Sequence, residues 1–182
     1  MADFYVYLIS SLPMLYFGAK PPFAFERFLA LCAGLIPEDD IELLKGLPGA
    51  VASGFSYDGR QLTLKDWFIF ETTLRNELVK IRAARKKADA ARYIKGEGSL
   101  EPWITHLALA AHRNPSLLEG ERALDEERWR YLDGLALGHY FDLDLLIVYA
   151  QKLLILERWE RVRTQDKSKL LEETMMTSSK SR

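Results

Sequence analysis

The chain has 182 residues, 48% of them hydrophobic, with a formal net charge of −1 and a pI near 6.3. That length supports one domain of ordinary size, or two small lobes on a shared core. The charge balance excludes general attraction to nucleic acid or to an anionic membrane, so any basic surface must be local.

The single cysteine, Cys32, lies among Phe28, Leu29, Leu31 and Leu35. It excludes a disulfide framework and a cysteine-based zinc site, and it reads as a buried thiol in a reducing compartment. The start Met1-Ala2-Asp3-Phe4 lacks the basic region of a secretory leader. The apolar run Leu145 to Leu156 is shorter than the roughly 20 residues a membrane-spanning helix needs. A soluble, cytoplasmic protein is expected.

Residues 4 to 12 are rich in aromatic and β-branched side chains, which favours a strand. No second strand is evident to pair with them, and the segment leans helical. Pro13, Gly18, Pro21 and Pro22 then make an extended connection. Phe25, Phe28, Leu29 and Leu35 repeat at helical spacing until Gly34 to Pro37 stop the pattern. Pro37-Glu38-Asp39-Asp40 opens a short helix whose acidic first turn suits the helix dipole, with Gly46 and Pro48 expected to end it. Residues 1–48 are thus expected to form an N-terminal helical cap, and 49–62, with their Tyr57-Asp58-Gly59 turn signal, a connecting loop.

A main helical bundle is expected over 63–176. Thr63-Leu64-Lys65-Asp66 resembles a capping box and predicts a helix start at Thr63. Trp67, Phe70, Leu74, Leu78, Ile81, Ala84, Ala88 and Ala91 then follow steps of three and four for about eight turns, until Gly96 and Gly98. Ser99 can cap a further helix from Glu101 to His112, with Pro102 tolerated in its first turn. After Asn114-Pro115, a helix from about Leu117 to Leu137 carries Leu117, Leu124, Tyr131 and Leu135 inward. The last helix, Leu143 to Met176, begins almost wholly apolar, interrupted by Gln151 and Lys152, and then becomes charged and amphipathic. Residues 177–182 are polar and read as a disordered tail. The fold class is all-α: an antiparallel bundle on two long helices, with a smaller N-terminal helical cap.

Sites of chemistry are sparse. The residues three before His106, His112 and His139 are Trp103, Leu109 and Ala136, so the Glu-x-x-His signature of di-iron bundles is missing. There is no HExxH, no phosphate-binding glycine loop and no GxSxG elbow. Neither a metal nor a cofactor is expected, and the three histidines read as packing or surface residues. Two features stand above background. The basic run Lys80, Arg82, Arg85, Lys86, Lys87, Arg92 and Lys95 is opposed only by Asp89. It is either a solvated face or a docking patch for an acidic partner, in which case Arg82, Arg85, Lys86 and Arg92 carry it. Glu71, bordering the apolar stripe, reads as an ion pair with Arg75 one turn away, ahead of a buried functional carboxylate. Beyond Arg163 the last helix still carries Leu170, Leu171, Met175 and Met176, more apolar surface than a free helix should expose. Leu170 and Leu171 are candidates for docking on another chain or on a second copy.

The opening Tyr5-Val6-Tyr7-Leu8-Ile9-Ser10-Ser11-Leu12-Pro13, with Leu15, Phe17-Gly18, Pro21-Pro22 and Phe25-Glu26-Arg27-Phe28-Leu29, resembles a bacterial family of unknown function encoded with V-type ATPase operons. Leu153 to Trp159 extends the resemblance towards the end of the chain. More loosely, the helical layout looks like the V-type ATPase rotor-cap protein that couples the central stalk to the membrane rotor ring, although this chain is much shorter. The resemblance implies a non-enzymatic accessory or stalk-like protein whose partners are V-type ATPase subunits. The alternatives are an enzyme with a small-molecule pocket between cap and bundle, and an RNA-binding helical protein. The latter has only Tyr93 to stack beside the basic run.

Overall fold

The opening segment is helical. In the computed structural model, residues 3–53, 61–96 and 101–180 are described, with side chains over 5–48, 61–96 and 101–165. They form seven helices and no strand: α1 Asp3–Ser11, α2 Phe25–Cys32, α3 Glu38–Ser53, α4 Leu62–Lys86, α5 Pro102–Arg113, α6 Leu117–Leu135 and α7 Leu143–Lys180. In α1 it is spacing that overrides strand propensity, because Tyr5, Leu8, Ile9 and Leu12 share one face and pack on the core. The Tyr5 hydroxyl donates to Asp40 of α3. Burial first, and then that carboxylate, push its pKa up.

The connection from α1 to α2 is pinned along α6 and α7. Tyr149 donates to the Pro13 carbonyl at 3.1 Å, Arg163 donates to the carbonyls of Gly18 and Ala19, and Phe17 meets Trp129 edge to face. Glu157 of α7 accepts from the Phe25 amide at 2.7 Å, satisfying one of the free donors at the start of α2. Cys32 is fully buried, and burial pushes its thiol up to about 12.

Several expected boundaries move. Gly46 and Pro48 do not stop α3, which continues to Ser53 with Pro48 inside it. Leu44 and Leu47 are buried on either side of Gly46, whose backbone is not left-handed, and that packing holds the helix past its breakers. Helix therefore enters the expected 49–62 loop from both ends; residues 54–60, including Tyr57-Asp58-Gly59, lie outside the described residues. Thr63 is not a cap. It sits inside α4, buried, and gives its hydroxyl to Asp144 at the start of α7, so an interhelical acceptor has replaced the local amide.

α4 ends at Lys86 rather than near Gly96. Lys87 turns left-handed with φ 52°, and Asp89 accepts from the Ala91 amide to start a 3-10 turn over Ala90–Arg92. Asn76, buried in α4, then grips Lys95 through two hydrogen bonds of 2.9 and 3.1 Å. These side-chain bonds to backbone outcompete further helix. The small buried residue of the stripe is accordingly Ala83, while Ala84, Ala88 and Ala91 are exposed. Ser99 lies outside the described residues.

Ser116 caps α6 through the Glu119 amide. Leu117, expected to face inward, is 79% exposed; the buried face of α6 is Gly120, Leu124, Asp125, Trp129 and Leu132. Leu117 belongs to the first turn, ahead of the point where the helix meets its neighbours. α5 crosses α6 so closely that a Cβ on Gly120 would stand 2.7 Å from the Ala111 carbonyl oxygen. α7 supplies the largest share of the core through Leu146, Ile147, Val148, Ala150, Leu153, Ile155 and Leu156, in contact with α2, α3, α4 and α6. One continuous cluster of buried apolar side chains takes members from all seven helices. With no glycine or proline after Gly138, α7 runs past the expected end at Met176, and residues 177–180 of the expected disordered tail are helical.

Candidate functional site

The basic run is divided by the turn at Lys87. Arg82, Arg85 and Lys86, on the last turns of α4, line a groove of about 540 Å³ with His112 of α5 and with Leu117, Gly120 and Glu121 of α6. Their position complements the negative end of the α4 dipole. Arg82 and Glu121 are 3.9 Å apart and largely exposed, a pairing worth about 0–1 kcal/mol. Arg85 and Lys86 have no ion pair among the described residues. Arg92 does not join the groove; it lies on the 3-10 turn, 4.0 Å from Asp89. No Phe, Tyr or Trp is among the described residues that line the groove.

A second site opens to the surface where α3, α4, α6 and α7 meet. Glu71 does not pair with Arg75. It accepts from Arg128 of α6 at 2.6 Å, and Arg128 also donates to Asp125 at 2.9 Å. Asp125 is fully buried, accepts from Trp159 Nε1 at 2.8 Å and forms an ion pair with Arg158. Burial lowers the Arg158 pKa, while Glu121 and Glu71 oppose that shift. These groups border a cavity of about 280 Å³ whose walls also hold Leu47, Pro48, Trp67, Gln151, Leu154, Ile155 and Arg161. Trp67 Nε1 and Gln151 Nε2 are buried without a hydrogen-bond partner among the described residues.

At the start of α7, His139, Asp142 and Asp144 place one ligand atom each within 4.8 Å of one another. Such an imidazole and carboxylate set can take a divalent cation. Its members are already engaged: Asp142 accepts from the Leu145 amide at 3.0 Å and lies 2.7 Å from His139 Nδ1, and Asp144 accepts from Thr63. The hydrogen bond to Asp142 raises the His139 pKa. This is a helix cap with a histidine partner. The remaining expected contact residues, Leu170 and Leu171, lie on the backbone of α7, with side chains outside the described residues.

No family model, curated protein or solved structure matches this chain. Among the described residues, no helix is long and apolar enough to cross a membrane.

Sequence reasoning placed Arg82, Arg85 and Lys86 together and flagged Gln151 as the break in an apolar run. It missed Asp125 and Arg128. The available signal was an acid lying between Leu124 and Trp129 on the inward face of α6, with an arginine three residues on. A charge on a buried stripe needs a partner, and Arg128 is in reach.

Proposed function

We propose that this chain is a non-enzymatic accessory or stalk-like component of a bacterial V-type ATPase or ATP synthase, acting in the cytoplasm through protein–protein contacts. In this reading α4 and α7 are the long members of an antiparallel bundle and α1 to α3 form the smaller cap. The observation that carries the proposal is the length of α7. Among the described side chains its contacts with the rest of the chain reach Trp159, bonded to Asp125, and Arg163, bonded to the Gly18 and Ala19 carbonyls, and the helix continues from there to Lys180. Isolated helical segments of that size are marginal in water, and packing is what normally stabilises them. A partner covering Leu170 and Leu171 supplies that packing, and the Arg82, Arg85 and Lys86 groove supplies a second contact of opposite sign to an acidic partner. The resemblance of the opening residues to the ATPase-linked family names the partner.

The test is affinity capture of the tagged full-length chain from its native host, with the captured chains identified. V-type ATPase subunits should be enriched over a tag-only control, and truncation after Thr164 should remove them while the remaining chain still folds. Absence of ATPase subunits at low salt contradicts the proposal. A second reading, an enzyme acting on a small molecule, draws support from the cavity bordered by Trp67 and Gln151.

A further inference from the structure

We infer that the chain forms a two-fold dimer in which residues 170–176 of each copy, on the projecting end of α7, lie in the basic groove of the other. The groove and the exit of α7 share one end of the molecule. α7 runs antiparallel to α6, with Lys152 meeting Asp133 and Trp159 meeting Asp125. Further on, Arg163 donates to the Gly18 carbonyl, and a Cβ on Gly18 would stand 3.7 Å from the Arg122 guanidinium. α7 therefore leaves the body beside the start of α6, whose Leu117, Gly120 and Glu121 wall the groove. From Thr164 to Lys180 it extends roughly 25 Å at about 1.5 Å per residue. The helix contains no glycine or proline that would let it double back, so its end cannot enter the groove of its own copy. A second copy turned end to end brings each projecting helix to the other's groove, and the same contact is made twice.

Chemistry names the same occupant. Leu78, Pro115, Leu117 and Leu124 give the groove apolar walls, and Leu117 is 79% exposed in the single chain. Among its described lining, Glu121 offsets one of the three charges of Arg82, Arg85 and Lys86, and neither Arg85 nor Lys86 has an ion pair. The complement is a helix that carries large apolar residues together with carboxylates. Residues 170–176 read Leu-Leu-Glu-Glu-Thr-Met-Met, and Glu172 and Glu173 are the only charges between Lys169 and Lys180. The dimer is a property of the chain alone and does not rest on ATPase association; an ATPase subunit would take the place of the second copy.

Sedimentation equilibrium of the purified full chain, at low and at high salt, tests this. A dimer is expected at low salt, weakening as salt rises. Arg85→Glu with Lys86→Glu, and separately Glu172→Lys with Glu173→Lys, should each weaken dimerisation at least about tenfold, with an unchanged melting temperature. Mixing the two variants should restore the dimer, because the acidic groove of one then meets the basic segment of the other, and the reverse pairing is complementary too. If the groove variant does not fold, Glu172→Lys with Glu173→Lys, beyond the last described contact of α7, still decides. A monomeric wild type overturns the inference and leaves the ATPase reading to its own test. A dimer that neither reversal weakens, or folded variants that stay monomeric when mixed, also overturn it.

Discussion

Replacing Asp125 with alanine should cost the fold about 3 kcal/mol. Asp125 is fully buried and joins three groups on two helices: Arg128 at 2.9 Å, Trp159 Nε1 at 2.8 Å and Arg158. Removing one partner of a buried ion pair costs about 3–5 kcal/mol, because the other charge stays behind uncompensated. Two features moderate that figure here. Arg128 keeps Glu71 at 2.6 Å, and the Arg158 side chain is 43% exposed and can turn to water. What remains is the orphaned Trp159 N–H, about 1–3 kcal/mol, together with the added positive charge beside Arg161. Asp125→Asn, which retains an acceptor, should lose clearly less. Urea denaturation followed by tryptophan fluorescence measures both variants. A loss below about 1 kcal/mol for the alanine variant would refute the placement of Asp125 as the buried tie between α6 and α7.

Gly120→Ala should destabilise by about 1 kcal/mol in the same assay: the new methyl meets the Ala111 backbone oxygen, an overpacking cost of about 1–3 kcal/mol that outweighs the helix-propensity gain of about 1 kcal/mol. Cys32, fully buried with its thiol pushed up to about 12, should resist a thiol-specific reagent at pH 8 in native protein and react at once in denaturant. The raised His139 pKa means that its bond to Asp142 stabilises the fold fully below the unfolded value of about 6.5, and that this contribution fades as pH rises through the folded value. Asp142→Asn, which keeps a good helix cap, should return the His139 titration seen by NMR towards 6.5; an unmoved titration refutes the pairing.

The helices themselves were legible because apolar periodicity is local. Trp67, Phe70 and Leu74 face the core as their spacing requires, and the all-apolar start of α7 marks the most enclosed element. The misreadings share one cause, competition from partners distant in sequence. Thr63 looks like a cap until Asp144, far along the chain, accepts its hydroxyl, and Glu71 looks like a surface residue until Arg128 arrives from 57 residues away. The early end of α4 depends on Asn76 catching Lys95, a contact no helical pattern encodes. The groove was visible as a basic run. That Arg92 leaves it follows only from the left-handed turn at Lys87.

Association with the ATPase is most directly tested by measuring the affinity of the purified full-length chain for the purified V-type ATPase of the same host at low and physiological salt. Wild-type protein should bind, more weakly as salt rises, and Arg82→Glu, Arg85→Glu and Lys86→Glu combined should bind at least about tenfold more weakly with an unchanged melting temperature. No binding by the wild type, or equal binding by the triple variant, would contradict the account.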